Sequence, residues 1–261
     1  MKNNLVIIKL GGSVITFKDK PLSANYKAIE DISNILKRVI SPLIIVHGGG
    51  SYGHYWSVKF DMHTKPANYD PHGISIVHSS MLTLNKIIVD SLEKERLNPY
   101  GILPSSFLNN GKPYSNKIKE LKTMTEHNII PVTYGDIVHI KDNKYSILSG
   151  DVLITMLSKI LQPSKIIFAL NVDGLYNNIT DKKIIKEINF EYEKKEQRNI
   201  NFGRDLTIKD VTGGIKRKVE EATKIARTGK DVIFLNGLDP IQIEKAIKDK
   251  RFKGTIFKGK I

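Results

Sequence analysis

The chain has 261 residues, no cysteine, and 41 lysines and arginines against 27 aspartates and glutamates, a formal net charge of +14. The missing thiols exclude disulfides, thiolate catalysis and cysteine-ligated metals, and they fit a cytoplasmic protein. No apolar run approaches the roughly 18–20 residues that span a bilayer, and the start Met1-Lys2-Asn3-Asn4 leads into a strand with no signal peptide. The basic residues are scattered on what read as solvated helix faces. With no RNP, KH or zinc-finger pattern, neither nucleic acid nor a membrane is the expected partner.

The continuous apolar run over 5–10 predicts a buried strand ending at Gly11-Gly12-Ser13. Lys9 inside it costs desolvation unless an anion pairs with it, the alternative being a strand-edge lysine that reaches solvent. Lys18 follows in a polar turn. Helical spacing of Ile29, Ile32, Leu36 and Val39 predicts a helix over 26–40, stopped by Pro42. A second strand then runs into His47-Gly48-Gly49-Gly50-Ser51-Tyr52-Gly53-His54. Glycine lets a backbone approach a ligand closely, and free N–H groups beside a helix start bind anions. This loop therefore reads as a phosphate cradle. His54 beside it is either a phosphate ligand or a satisfied core histidine.

Two nucleotide motifs fail here. Gly48-x-Gly50-x-x-Gly53 formally matches the dinucleotide fingerprint, but the acidic residue expected about 20 residues on falls at Asp70, in a proline-rich loop. Gly-Lys-Ser/Thr never occurs in Walker A register. The β–α–β unit with a glycine turn after each strand predicts a parallel sheet covered by helices, with ligands beyond the carboxyl ends of the strands.

Residues 61–73 read as a loop and 74–97 as a long amphipathic helix, with Ile74, Val77 and Met81 on one face. Short strands are expected over 100–103 and 129–132, and a hairpin over 137–148 turning at Asp142-Asn143. Ser149-Gly150-Asp151 opens a helix to Leu161. Asp151 there could cap the helix, orient lysines, or help hold Mg²⁺. The strand over 165–170 ends in Asn171-Val172-Asp173-Gly174-Leu175-Tyr176, and 177–210 is polar, lysine-rich and weakly patterned. Thr212-Gly213-Gly214 opens a helix to about Thr228, with Lys218 one turn in. The flanking Lys216 and Arg217 leave open whether Lys218 is functional or simply solvated. A strand over 232–235, a helix over 240–247 and a last edge strand over 254–257 complete the chain. No spacing of the other six histidines suggests a metal site.

Taken together, Lys9-Leu10-Gly11-Gly12-Ser13, His47-Gly48-Gly49-Gly50, Ser149-Gly150-Asp151, Asn171-Val172-Asp173-Gly174-Leu175-Tyr176 and Thr212-Gly213-Gly214-Ile215-Lys216-Arg217-Lys218 resemble the five signatures of the amino acid kinase superfamily. They stand in family order and span nearly the whole chain. Within that superfamily, Lys18, Gly50-Ser51-Tyr52-Gly53-His54, Gly73-Ile74-Ser75-Ile76-Val77-His78 and Pro131-Val132-Thr133-Tyr134-Gly135-Asp136 resemble the archaeal-type isopentenyl phosphate kinase branch. Phe17 departs from it, standing where an acidic or polar residue is common.

The resemblance implies an α/β fold: an open, mostly parallel central sheet sandwiched between helices, with a β-hairpin near the acceptor. It implies one domain of two lobes, about 1–162 for the phosphate acceptor and about 163–261 for ATP. The implied reaction is in-line phosphoryl transfer from ATP to isopentenyl phosphate in isoprenoid biosynthesis, without a phospho-enzyme, by a homodimer. Mg²⁺ would be carried mainly by the ATP phosphates, with no firm protein ligand. Lys9 and Lys18 would neutralise the transferring group, and Asp151 would position the lysines. His54 would hydrogen-bond the acceptor phosphate, aided by backbone donors at Gly49 and Gly150, with Gly53 also on the substrate side. The ATP side would comprise Lys9, Gly11, Gly12, Ser13, Gly50, Asp173, Tyr176, Gly214 and Lys218. An apolar wall of Ile74, Val77 and Met81, with Ile147 opposite, would take the hydrocarbon tail, although such a face also serves as ordinary core. A phosphonate kinase such as fosfomycin kinase shares the loop histidine and stays open as an alternative, as does a non-catalytic nucleotide-binding regulator.

Overall fold

The computed structural model describes residues 4–177, 183–189 and 214–259. The first apolar run forms β1 (Val6–Leu10), and the glycine pair starts a four-residue helix, α1 (Gly12–Ile15). Next come α2 (Tyr26–Leu36), capped by the Asn25 side chain, and β2 (Leu43–His47). α3 (Gly50–Lys59) grows directly from the glycine loop. α4 (Pro71–Lys94) starts at Asp70, whose carboxylate accepts from the N–H groups of His72 and Gly73 ahead of a proline-initiated turn. After β3 (Pro99–Gly101), a small ribbon of β4 (Leu108–Asn109) and β5 (Lys112–Pro113) precedes α5 (Ser115–Glu126). β6 (Ile130–Tyr134) is followed by the hairpin of β7 (Asp136–His139) and β8 (Tyr145–Leu148), then α6 (Gly150–Leu161) and β9 (Lys165–Leu170). β10 (Glu187–Ile188), α7 (Gly214–Ala226), β11 (Val232–Asn236), α8 (Ile241–Ile247) and β12 (Gly254–Phe257) complete the described chain.

The main sheet has the strand order β10-β12-β11-β9-β1-β2-β6-β3. All neighbouring strands are parallel except β11 and β12. β1 lies between β2 and β9, covered on both faces, which is why it reads as an almost unbroken apolar run. Side chains alternate between faces along a strand. Val6, Ile8 and Leu10 pack into the core with α2 and α4, while Leu5 and Ile7 pack into the core with α6 and α7. Lys9 shares the face of Leu5 and Ile7, so it points toward α6.

The expected α/β sandwich is the observed one, with differences at element ends. α2 stops at Leu36, well before Pro42, because Arg38 and Val39 donate three residues back, to Ile35 and Leu36, and tighten the exit. α4 ends at Lys94, followed by Arg96 at φ +59°, a left-handed turn that terminates the helix. The hairpin turns at Asp142 and Asn143, both at positive φ, as expected. β12 is not an edge strand, since β10 pairs along its outer side. α1 is too short for any periodic signal. The amphipathic α5, which buries Ile118 and Leu121, was not anticipated. Of the segment 177–210, only residue 177 and 183–189 are described, and Thr212-Gly213 also lies outside the described residues.

Candidate active site

The site is built where β1 and β2 end side by side and their glycine turns touch. A Cβ on Gly12 would lie 2.4 Å from the Gly50 nitrogen, so the two turns pack backbone to backbone. Gly50 has φ +48°, and a Cβ there would meet the Thr16 hydroxyl. Part of the glycine requirement is therefore chain against chain, not only chain against ligand. Thr16 stitches the corner together: its hydroxyl donates to Gly12 O (2.7 Å) and accepts from Ser51 N (2.9 Å). A third turn joins them, because a Cβ on Gly150 would stand 2.9 Å from His47 O. The N–H groups of Gly49, Gly50 and Gly150 donate to no acceptor among the described residues. Those of Gly50 and Gly150 open α3 and α6, where backbone dipoles favour an anion.

These turns line a cavity of about 1470 Å³. Lys9, only 3% exposed, sets its ammonium 3.0 Å from Asp151 Oδ1. Lys218 lies 3.4 Å from Asp151 Oδ2 and donates to Gly214 O at 3.1 Å. One carboxylate thus holds two lysines from opposite ends of the sequence. Burial pulls the Lys9 pKa down and Asp151 opposes it, while the charge of Lys218 adds to the lowering. Burial pushes Asp151 up, but the two lysines outweigh it and hold the carboxyl below its ordinary value. Asp151 is not the helix cap: that role belongs to Ser149, whose hydroxyl accepts from Val152 N.

His54, one turn beyond Gly50, lines the same cavity with its side chain open to it. Crowding by the cavity walls lowers its pKa, and the charges of Lys18, Lys218 and Arg217 lower it further, against Asp151. The imidazole is therefore neutral near pH 7 in the free protein, with an N–H to donate.

The sequence model of the amino acid kinase family matches residues 4–236, nearly the whole chain. This chain belongs to the amino acid kinase family. It is 32% identical to an isopentenyl phosphate kinase from Thermoplasma acidophilum over 264 residues, covering 97% of this chain and all of the relative. A second isopentenyl phosphate kinase, from Methanocaldococcus jannaschii, is 32% identical over 256 residues, covering 93% of this chain and 95% of the relative. The crystal structure of the T. acidophilum enzyme as a product complex superposes with a TM-score of 0.78 at 28% identity, over 97% of this chain and all of that one.

Most family positions expected from the sequence meet in the cavity. Lys9, Gly11, Gly12, Ser13, Lys18, Gly49, Gly50, Gly53 and His54 line it, as do Val77, Met81, Ile147, Gly150 and Asp151. Tyr176, Gly214 and Lys218 line it from the part of the chain beyond β9. Two expected residues do not. Ile74 does not line the cavity; partly buried, it packs against the small cluster of Met62, Val77 and Ile137. The Asp173 carboxylate is drawn away by Lys253 (2.7 Å) and Asn236 (2.9 Å).

Three contributors were missed. Thr16 carries no motif signal beyond its place in a short turn. Arg217 lines the cavity beside Lys218, and its helix position alone could not separate it from Lys216. Asp136 lines the wall while held by His78, and no local spacing foretells a contact between such distant segments. No helix among the described residues is long and apolar enough to cross a membrane.

Proposed function

We propose that this chain is an ATP-dependent isopentenyl phosphate kinase. The observation that carries the proposal is the shared cavity: a lysine–aspartate–lysine group and His54 stand beside a pocket walled by Val77, Met81 and Ile147. The near full-length likeness to enzymes of that name supports the same substrate. Residues up to about 162 hold the acceptor and the remainder hold ATP.

Donor and acceptor are both anions, so catalysis here is positioning and charge neutralisation. Lys9, Lys18 and Lys218 supply compact positive charge, and Asp151 fixes two of them. The glycine-turn N–H groups add preorganised donors aimed at the transferring group. A phosphate monoester has its second pKa near 6, so the acceptor oxygen is already a nucleophile at neutral pH and no general base is needed. That oxygen bonds to the γ-phosphorus as the bond to the β-phosphate oxygen of ADP breaks in line. His54 donates to the acceptor phosphate, orients it, and stabilises charge as the new bond forms.

Mg²⁺ would accompany the nucleotide in this reading and supply positive charge to its phosphates. Among the described residues no three acidic or histidine side chains cluster as a metal cage. A cytoplasmic homodimer is the assembly we infer from the resemblance.

The test is ADP release from Mg·ATP with isopentenyl phosphate, dimethylallyl phosphate, fosfomycin, UMP and N-acetylglutamate as acceptors. The five-carbon isoprenoid phosphates are expected to give higher kcat/KM than the other acceptors. Faster turnover of fosfomycin, UMP or N-acetylglutamate would overturn the assignment.

A further inference from the structure

Asp136 is a carboxylate buried in the wall of a cavity built for anions, and the chemistry above makes no use of it. It is 4% exposed. Its Oδ2 lies 2.7 Å from His78 Nδ1, and its Oδ1 accepts from Ile137 N at 2.8 Å. An isolated carboxylate there would repel phosphate and lose its hydration, so its burial depends on the hydrogen bonds it accepts. The contact joins two segments that the sequence singled out separately, the one ending at His78 and the one ending at Asp136.

Each partner stands next to a residue of the apolar pocket. His78 follows Val77 on α4, one turn before Met81. Asp136 begins β7, and the next residue, Ile137, packs with Val77 and pairs across the hairpin with Ile147. Val77, Met81 and Ile147 all line the cavity. Among the described residues this is the one side-chain hydrogen bond between α4 and the β7–β8 hairpin. Besides its ladder with β7, β8 is tied to the loop before α4 through Ala67, Thr64 and His63.

We propose that the His78–Asp136 pair is a latch that sets the distance between α4 and the hairpin, and thereby limits the length of the hydrocarbon tail the acceptor pocket admits. The proposal rests on the isopentenyl phosphate reading and names what makes that site selective. Asp136 is a positioning residue: it acts through Val77, Ile137 and Ile147, not on the reacting phosphate. The hydrogen bond raises the His78 pKa, and burial raises that of Asp136, with His78 partly opposing the rise. Both directions agree with a pair held together in a partly desolvated seam.

The test compares kcat/KM for isopentenyl phosphate and for a ten-carbon prenyl phosphate in the wild-type enzyme, D136A, H78A and D136N, with melting curves to confirm folding. The wild type should favour the five-carbon substrate. In D136A and H78A the five-to-ten-carbon ratio should fall at least tenfold, mainly through a lower KM for the longer substrate, with KM for ATP little changed. D136N can still accept from the His78 N–H, so its ratio should stay within about threefold of wild type. An unchanged ratio in a folded, active D136A or H78A, or an equal loss on both substrates, would overturn the latch while leaving the function intact. A folded wild type inactive on isopentenyl phosphate would overturn the functional reading and the latch with it.

Discussion

Lys9 Nζ and Asp151 Oδ1 stand 3.0 Å apart, the first on β1 and the second in the opening turn of α6, with both side chains almost wholly out of water. The buried Lys9 charge is offset by Asp151, and the Asp151 charge by Lys9 together with Lys218. Removing one partner of a buried pair costs about 3–5 kcal/mol, because the remaining charge is left uncompensated. D151A is therefore expected to lose roughly that much stability in urea unfolding, together with most of its activity. The double variant K9M/D151N should be more stable than the sum of its single variants predicts. Simple additivity would show that the two charges do not act as a unit.

His54 is expected to serve the chemical step more than nucleotide binding. Its imidazole donates to the acceptor phosphate and not to the adenine or ribose. H54A should lower kcat by about 10²–10³-fold, the loss typical of one preorganised donor. KM for ATP should change little. Steady-state kinetics with each substrate varied in turn separates the two effects, and an unchanged kcat would remove His54 from the mechanism.

Gly50 should not tolerate alanine. The residue sits at φ +48°, and a Cβ would be 2.0 Å from Thr16 Oγ1 and 2.8 Å from Gly12 O. Both the left-handed backbone and the contact oppose a side chain. G50A is expected to lose about 2–3 kcal/mol, in the range of strained or overpacked sites. Because T16A removes the hydroxyl but leaves Gly12 O in place, G50A/T16A should recover only part of that loss in thermal unfolding.

Acid should weaken the fold before the carboxylates titrate. His47 is fully buried, touching Gly48 O and the Asn85 side chain and stacked on Tyr134. Burial lowers its pKa to about 4. The unfolded chain binds a proton near pH 6.5, while the folded one resists until about pH 4. The stabilisation is complete above pH 6.5 and falls progressively as pH drops to about 4, by roughly 3 kcal/mol at about 1.36 kcal/mol per pH unit. His54 contributes with the same sign, since its pKa is also lowered. His78 has the opposite sign: its pKa is raised, so its contribution is present below pH 6.5 and is lost as pH rises through the folded value. Asp151, lowered by its lysines, adds a later loss below the ordinary carboxylate range. Urea midpoints from pH 7.5 to 4 should follow the His47 slope, and H47N should flatten it.

Strands and glycine turns were the legible parts of this chain. A strand covered on both faces must be apolar at every position, so 5–10 and 165–170 announce themselves, and Lys9 stands out against that background. Element ends were less legible, because they depend on single hydrogen bonds such as those of Arg38 and Val39 behind α2. Ile74 shows the limit of periodicity: it shares a helical stripe with Val77 and Met81, yet only the latter two face the cavity.

By itself, the sequence determined the kind of chemistry. Buried lysine, free glycine N–H groups and a histidine at the ends of parallel strands suit an anion and little else. Tertiary structure decided which groups act together. The alternation of β1 turns Lys9 toward α6, where Asp151 meets it and Lys218 arrives from a remote helix. The hairpin brings Asp136 to His78, and Lys253 draws Asp173 away. These are contacts across sheet faces between residues far apart in the chain, and local sequence encodes the side chains but not the crossing of elements that brings them within hydrogen-bond reach.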